Sequence, residues 1–536
     1  MSTTKPKMGP VSRGVESMRS DYAAAKTSRY RRRRTGVSSV GSNADFHYKS
    51  ENDYLRMIET ARDMRRNDVI FKPALNKYRT NIIQGGFVLD PQTGDDRLDD
   101  DLKARWTEWA QDPRSCDAMG ELSFHDMEEK VLESTAVDGD IFALPLQEGS
   151  LQILEAERCR TPKNAQRARY GDVIHGVKLD AMRRRLEYWF TKDEISPTAP
   201  LHKIGDMTRV AAFAAPDSSA PDWDKEGRRG ARQVFHIVDP ERFTQTRGVT
   251  LLAPTFDTAS GIEDINFSTI IRHQIASIFA VIREREAGFE VGGNSGALGN
   301  QNTESRSDGS TKLTEEVAPG MELRPPPGEK VKLDSPKVPA PEFFPHMKFL
   351  LQLFGNHLSL PLVMLMMDAS ETNFSGWRGA VQQAHLEFKR VQLWMARRFH
   401  RPVYMWKVRQ WAIEDSHFRR AAERLNVSIM NHTWQPPRWA FIQPLQDATA
   451  HDMRVRTGQT SPRRAAMELG LDATIIRAER IADNRLTVLA AIDAAENIFQ
   501  QTGVRIDYHE LLYVPAPGQF SLSMSLPIDQ EEDNKS

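Results

Sequence analysis

Two carboxylates, Asp138 and Asp140, flank Gly139, and their close spacing could bind a metal ion. Closely spaced carboxylate oxygens are the ligands that a hard cation such as Ca²⁺ requires. Turn formation is the simpler explanation, because Asp and Gly are residues that tight turns favour. The pattern therefore favours a turn over a metal site.

A run of arginines near the N-terminus, RYRRRR at residues 29–34, could bind phosphate non-specifically if exposed. A solvated basic tail, or a tail that pairs with acidic neighbours in an assembly, explains it equally well. Residues 1–35 hold ten Lys and Arg against two acids, about +8, while the whole chain carries −1. The candidate arginines are Arg29, Arg31, Arg32, Arg33 and Arg34.

Enzyme and cofactor motifs are absent from the sequence. The phosphate-binding pattern GxxxxGK[ST] does not occur, so the Ser- and Gly-rich stretch at 292–311 is not a nucleotide site. His346, His357 and His385 lack HExxH spacing and are expected in packing or surface roles. We therefore predict no catalytic residue, no metal site and no cofactor.

A small, polar segment, DASETNFSGWRGA at residues 368–380, follows the apolar run LSLPLVMLMM. Ser370, Thr372 and Ser375 are residue types that cap helix N-termini. The segment predicts a loop of small side chains that carries two acids and projects between two long helices. Its candidate residues are Asp368, Ala369, Ser370, Glu371, Thr372, Asn373, Phe374 and Ser375.

Composition predicts a soluble protein that works in the cytoplasm. Of the 536 residues, 39% are hydrophobic and 27% are charged. Two cysteines without a CxxC pair indicate a reducing environment. The longest apolar run, residues 358–367, is far shorter than the roughly 20 residues that span a bilayer. No signal peptide is recognisable at the N-terminus.

Hydrophobic spacing predicts the elements that position these residues. Residues 51–83 and 120–136 have helical spacing, and three later stretches read as strands, which together predict an α+β unit with an antiparallel sheet. Residues 255–285 predict one continuous helix of about 30 residues, roughly 45 Å long. After an irregular, Pro-rich module with one short strand, EKVKLD, helical spacing resumes at 342–360. Another long helix starts at Trp377, with a kink near Pro402.

Four stretches, in this order along the chain, carry recognisable patterns: ARDMRRNDVIFKPALNKYRTNIIQGG, HIVDPERFTQTRGVTLLAP, DASETNFSGWRGA and RWAFIQPLQDATAHDMRVRTGQTSPRRAAMELGLD. Together they resemble the portal proteins of tailed bacteriophages, of the lambda type, over roughly residues 55–490. Three residues depart from the pattern: Thr250 stands for a proline, Gly376 for a serine, and Gln443 for an acid before Pro444.

The resemblance implies a ring-shaped homo-oligomer, usually of twelve subunits, around a DNA channel. Its implied parts are a basic arm (1–50), an α+β wing (51–254), a first stem helix (255–287), a clip (288–341), a second stem helix (342–362), a tunnel loop (363–376), a tunnel-loop helix (377–410), a wing return (411–456), a helical crown (457–510) and a C-terminal tail (511–536).

Function and partners follow from the same resemblance. It implies a portal vertex protein of a phage or prophage head, assembled in the host cytoplasm, through which duplex DNA is packaged and ejected. The implied partners are the terminase large subunit, head-tail connector or adaptor proteins, the major capsid protein and scaffold, with no membrane partner. Glu263 and Asp264 become candidate acids on the channel side of the stem, although dipole-complementing surface residues would look the same.

Two other classes of protein remain as alternatives. A capsid or connector subunit without a DNA channel has no reason to carry the order of helix, protruding module, helix, small loop and long helix at residues 255–401. A DNA-packaging enzyme would need a phosphate loop or a compact carboxylate cluster, and the sequence offers neither.

Overall fold

The computed structural model describes Asp45 and residues 51–162, 173–192, 207–221, 223–277, 281–285, 301–305, 311–315, 329–333, 341–370, 372–425, 428–439, 444–468 and 473–512. The chain divides into two compact units, Met1–Pro436 and Pro437–Ser536.

The helices of the first unit are α1 (Glu51–Asn67), α2 (Phe71–Ile83), α3 (Asp96–Gln111), α4 (Pro113–Cys116), α5 (Phe124–Asp138), α6 (Lys225–Arg229), α7 (Phe256–Ser277), α8 (Phe343–His357), α9 (Leu362–Met366), α10 (Phe374–Met395), α11 (Arg401–Glu414) and α12 (Ser416–Leu425). A π-helical turn, Ala396–His400, joins α10 to α11. The helices of the second unit are α13 (Pro444–Arg456), α14 (Pro462–Glu468), α15 (Ala473–Thr502) and α16 (Tyr508–Leu511).

The strands are β1 (Val88–Pro91), β2 (Asp140–Pro145), β3 (Leu151–Leu154), β4 (Val173–Ile174), β5 (Val177–Leu179), β6 (Arg185–Thr191), β7 (Met207–Ala211), β8 (Phe235–Val238), β9 (Val281–Arg285), β10 (Gln301–Ser305), β11 (Thr311–Glu315), β12 (Glu329–Leu333) and β13 (His432–Gln435). They form sheets of order β3-β2-β8 and β4-β5-β6-β7 and three two-stranded pairs, β1-β13, β9-β12 and β10-β11. Every pairing between these strands is antiparallel, which confirms the predicted mixture of helices and antiparallel sheet.

The predicted helix at 51–83 is two helices, because Asp68 interrupts it. One carboxylate oxygen of Asp68 accepts hydrogen bonds from the backbone N–H groups of Ile70 and Phe71, at 2.7 and 2.9 Å. Such a side-chain acceptor satisfies the free donors at a helix start, so α2 begins anew at Phe71. Spacing of apolar residues alone could not show this break.

The single helix predicted over 255–285 is wrong at its C-terminal end. Helix α7 ends at Ser277, and Val281–Arg285 form β9, which pairs residue by residue with Glu329–Leu333. The predicted strand EKVKLD is therefore confirmed, and its partner is the segment assigned to the helix end. Valine and isoleucine suit a strand as well as a helix, so pairing with a distant strand decided the outcome.

The Pro-rich module also contains a hairpin that was predicted as loop. Gln301–Ser305 pair with Thr311–Glu315 over five residues on each side. The returning helix agrees with its prediction, at Phe343–His357. The predicted kink near Pro402 takes the form of the π-helical turn just before it, because a proline removes one backbone donor from the helix ladder.

The core of the first unit has two aromatic centres. Between the two larger sheets lie Phe142, Tyr188 and Phe190, with Val177 and Val234 beside them. Around α3, the Trp106 ring contacts Trp109, Phe124, Tyr404 and Trp434, with ring centroids 5.0 to 5.8 Å apart. Trp394, Trp411 and Trp434 are also buried.

Candidate functional site

Helix α2 holds both ends of the segment that contains the predicted loop. The Lys77 ammonium donates to the Leu365 carbonyl in α9. Tyr78 packs edge-on against Phe388 of α10, with ring centroids 6.0 Å apart. Further along α10, the buried Gln392 amide donates to the Ile82 carbonyl at 2.9 Å. The two helices that flank the loop therefore both contact α2.

The loop itself is exposed and small. Asp368, Ala369 and Ser370 are all exposed, and Thr372 is half-buried. A carboxylate oxygen of Asp368 accepts from the Ser370 backbone N–H at 2.9 Å, and this hydrogen bond lowers the pKa of Asp368. Glu371 lies outside the described residues.

Asn373, not one of the predicted serines or threonines, caps α10. Its side-chain oxygen accepts from the Gly376 N–H at 2.7 Å. A Cβ at position 376 would lie 2.9 Å from that oxygen, so glycine fits closely beside the cap. The departure from the family's serine at Gly376 therefore coincides with close packing of this position against the cap.

The loop exposes more apolar surface than its composition predicted. Met366, Met367 and Phe374 are 53%, 81% and 51% exposed. Met367 adopts a left-handed backbone conformation with φ of 56°, which ends α9 and turns the chain into the loop. Acidic and apolar side chains therefore share this projection, and it contains no Lys or Arg between residues 363 and 376.

Helices α7 and α8 contact each other, and both expose large apolar side chains among polar ones. Phe267 and Ile270 of α7 are 64% and 54% exposed, and Phe344 and Phe349 of α8 are 66% and 53% exposed. The predicted acids also lie on α7, where Glu263 is exposed and Asp264 is half-buried. Large apolar side chains on adjacent helices are typical of a surface that another chain covers.

The start of α7 is fixed by a buried guanidinium, that of Arg247. All five of its N–H groups have acceptors: two oxygens of Asp140 at 2.6 and 2.8 Å, and three backbone carbonyls at 2.8 to 2.9 Å. The carbonyls belong to Ala156, Cys159 and His175. Arg247 thus ties together the hairpin, the sheet edge and the segment that leads into α7.

Asp140 is the anion that balances this guanidinium. Besides Arg247, it accepts from the Gly248 N–H and from His236 Nε2, each at 2.9 Å. The Arg247 charge and these hydrogen bonds outweigh burial and hold the pKa of Asp140 well below its usual range. Burial and the nearby arginines lower the pKa of His236 to about 3, so the imidazole is neutral and its Nε2–H donates a hydrogen bond to the Asp140 carboxylate.

Glycine is required where the two turns meet. Gly139 has φ of +99°, and a Cβ on Gly248 would lie 1.9 Å from the Gly139 carbonyl oxygen. The Asp-Gly-Asp turn and the Arg-Gly pair are therefore in backbone contact. Thr250, which stands for the family's proline, donates its hydroxyl to the Ala136 carbonyl at 3.2 Å and so joins the same turn to α5.

Asp138 belongs to a second, partly exposed cluster. The Arg62 guanidinium contacts Asp138 at 2.7 and 2.9 Å and Glu157 at 2.7 and 2.9 Å, with Glu155 at 3.2 Å. Burial raises the pKa of Asp138 to about 6. Its hydrogen bond and proximity to Glu157, together with burial, raise the pKa of Glu155 to about 7. Both members of the Asp-Gly-Asp turn thus pair with arginines, which agrees with the turn interpretation.

Asp45, which precedes α1 in the sequence, joins this frame. The buried Asp45 carboxylate accepts from the Thr246 N–H at 2.9 Å and hydroxyl at 2.7 Å, and it pairs with Arg183. Asp45 therefore attaches next to Arg247. The predicted arginines, Arg29, Arg31, Arg32, Arg33 and Arg34, lie outside the described residues.

Sequence reasoning missed Arg247, His236 and Lys77, and it named Asn373 as a loop residue but not as the cap of α10. His236 lies in the HIVD sequence and Arg247 in the TRG sequence, but their neighbours in sequence do not show that both contact Asp140. Among the residues that the structure describes, no cluster of three or more His, Cys, Asp or Glu side chains could hold a metal ion. Within the same residues, no helix is both long and apolar enough to cross a membrane.

Comparison with protein families places this architecture in a known class, that of phage-type portal vertex proteins. The family described as "Phage portal protein, lambda family" matches residues 31–392, which is more than half of the chain. The chain therefore belongs to the lambda family of phage portal proteins, a family of virion structural proteins.

Solved structures with a similar chain trace come from gene transfer agent particles. One is the neck of an empty particle, 12% identical, with a TM-score of 0.41 over 77% of this chain and 93% of the other. Another is the virion of a native particle, 10% identical, with the same TM-score and coverage. Likeness at this level supports no argument about function. No curated protein matches the chain.

Proposed function

We propose that this portal vertex protein forms a ring of twelve identical subunits, whose channel admits duplex DNA during packaging and releases it at ejection. The observation that carries the proposal is the exposed loop whose two flanking helices both dock on α2. A loop of small side chains whose flanking helices are held by α2 suits a segment that contacts moving DNA. The lack of Lys and Arg in the loop limits drag, because each phosphate contact adds affinity.

Parts of the chain receive roles by the same proposal. Residues 363–376 form the tunnel loop, α7 and α8 lie in the stem, and Glu263 and Asp264 face the channel. The β9–β12 and β10–β11 pairs lie in the clip region, 288–341 with its flanking strand, which docks the terminase large subunit and later the connector proteins. Helices α14 and α15 belong to the crown. Major capsid and scaffold proteins are the further partners, in a head assembled in the host cytoplasm.

Ring formation is supported by the outer faces of α7 and α8. Side chains such as Phe267, Ile270 and Phe349 keep apolar surface in contact with water. Burying that surface would stabilise an assembly by roughly 25 cal/mol per Å². A neighbouring copy that covers them recovers that energy. A capsid subunit without a channel would use the same apolar faces, so the loop must be tested separately.

The test is a deletion of residues 368–376. We expect rings of wild-type mass in negative-stain electron microscopy, with heads that package or retain less DNA. A matched control replaces the same nine residues with Gly and Ser, which keeps the length of the loop but removes its side chains. Loss of rings on deletion would show that the loop is structural, and normal DNA content in both variants would remove its role in the channel.

A further inference from the structure

Four arginines gather on one surface of the first unit, and none of them pairs with a carboxylate among the described residues. This arginine patch consists of Arg185 on β6, Arg232 before β8, and Arg397 and Arg398 on the π-helical turn. The π-helical turn packs against β8, which brings these elements together. Arg232, Arg397 and Arg398 are exposed, and Arg185 is half-buried.

Charge in the patch is poorly balanced. Within the described residues, Arg398 makes no hydrogen bond or ion pair, Arg232 stacks on the Phe213 ring at 5.2 Å, and Arg397 donates only to the Leu393 carbonyl. Asp239 is the nearby acid, and it already pairs with Arg390 at 3.1 Å. Arg185 donates to the Thr246 carbonyl at 3.1 Å. Burial together with the charges of Arg185 and Arg232 lowers the pKa of Arg398. An anion placed here would relieve this repulsion.

Apolar neighbours favour a protein surface as the source of that anion. Leu186, Phe213 and Leu393 are 43%, 47% and 45% exposed beside the arginines. Arginine and aromatic side chains are enriched where proteins meet, whereas bare phosphate contacts need no apolar surround.

The same chain carries a complementary acidic surface at the start of α3. Residues 95–101 hold five aspartates against one arginine. Asp95 and Asp99 cap the helix and its preceding turn, and Asp101 pairs with Arg105. Asp96 and Asp100 are exposed, and neither forms an ion pair with another described residue.

The two surfaces lie on different sides of the π-helical turn. Phe399 and His400 point toward α5, where Phe399 stacks on Phe124 and His400 contacts Glu128 at 2.6 Å. Helix α3 packs on that side, since Trp106 also contacts Phe124. Arg397 and Arg398 precede these residues and face solvent. One copy cannot bring its own patch to its own α3, but two copies in head-to-tail contact can.

We infer that the arginine patch of one subunit binds the acidic start of α3 in the next copy of this chain. A contact between two different patches is heterologous, and it closes a ring when the rotation from one copy to the next divides a full turn evenly. The inference rests on the proposed ring. It adds charge complementarity, which sets orientation, to the apolar contact of α7 and α8.

Charge reversal tests the contact. The variants are R397E/R398E, D96K/D100K and their combination, with R56E/K72E on the exposed faces of α1 and α2 as a matched control. Native mass spectrometry and analytical ultracentrifugation measure ring formation. We expect each reversal to raise the protein concentration for half-assembly at least about tenfold, because attraction becomes repulsion. The combined variant should recover most of the loss, and the control should match wild type.

Several outcomes overturn the inference. Rings that form normally in both reversals, or a combined variant no better than either, exclude the contact while leaving the portal role intact. Wild-type protein that never forms rings, alone or with its scaffold, removes both proposals. DNA is the other molecule that could occupy the arginine patch, and fluorescence anisotropy with a labelled duplex measures its binding. If R397E/R398E loses DNA binding but assembles normally, the patch binds nucleic acid and not a neighbouring subunit.

Discussion

The Arg247 guanidinium and the Asp140 carboxylate form a bidentate pair that is wholly buried, with Nε–Oδ2 at 2.6 Å and Nη2–Oδ1 at 2.8 Å. The pair lies where the segment before α7 meets β2, β8 and the turn at Gly139. Every donor of the guanidinium is used, so its geometry is fixed by the fold. The pair therefore fixes the segment that leads into α7, which begins at Phe256.

Replacing Arg247 with Lys should destabilise the protein strongly. An ammonium cannot reproduce the planar fork, and it leaves carbonyl groups and a buried carboxylate poorly paired. Breaking a buried pair typically costs about 3–5 kcal/mol. Urea unfolding followed by circular dichroism measures the change. The matched control, Arg390→Lys in the exposed pair with Asp239, should cost less than about 1 kcal/mol. Equal effects of the two substitutions would contradict the special role of Arg247.

Replacing Asn373 with Ala should loosen the start of α10. The lost cap leaves the Gly376 N–H without its acceptor, at a typical cost of about 1 kcal/mol. Hydrogen exchange at residues 374–378 should accelerate severalfold. Ser370→Ala and Ser375→Ala, which remove the caps expected from sequence alone, should leave that exchange unchanged. If exchange were faster in the serine variants but not in Asn373→Ala, a serine and not Asn373 would be the cap of α10.

Much of the fold was predictable where local signals agree. The helix and strand pattern at 120–191 follows from apolar spacing and turn residues, and Gly139 marks its turn. Three features depended on distant partners. Val281–Arg285 is a strand because Glu329–Leu333 pairs with it, Asp140 is a buried anion because Arg247 reaches it, and α2 holds the loop through Lys77 and Gln392. No local property of these residues reveals which distant group they meet.

Protonation of the Arg62 cluster should make stability fall as pH rises. The pKa of Asp138 is raised to about 6 and that of Glu155 to about 7, so the folded state keeps protons that the unfolded chain has released. This contribution is complete below about pH 4 and is lost as pH rises through 6 and 7. We expect Glu155→Gln to flatten the fall in unfolding free energy between pH 5 and 7.5. Glu121→Gln, on the exposed surface, serves as the control. If unfolding free energy falls with pH at the same slope in the wild type and in both variants, the Arg62 cluster is not the cause.

Replacing Lys77 with Met should free the loop without unfolding the protein. The substitution keeps the length of the side chain and removes the donor to the Leu365 carbonyl. Hydrogen exchange in residues 366–372 should rise severalfold, while the thermal midpoint changes little. The control is Lys72→Met, at an exposed position of the same helix. If Lys77→Met leaves exchange in the loop unchanged, α2 does not hold the start of the loop.

Removing residues 1–35 should leave ring formation intact, because the attachment at Asp45 remains. Asp45 accepts two hydrogen bonds from Thr246 and pairs with Arg183, so it belongs to the buried frame around Arg247 and not to the basic run. Asp45→Ala in the full chain should therefore cost about 1–3 kcal/mol of unfolding free energy, since it leaves buried donors unpaired. The truncation should cost almost nothing. The measurement is the mass of the rings that the truncated protein forms. If truncation abolishes every oligomer while the stability of the monomer is unchanged, the arginines at 29–34 bind neighbouring subunits and ring formation depends on their charge.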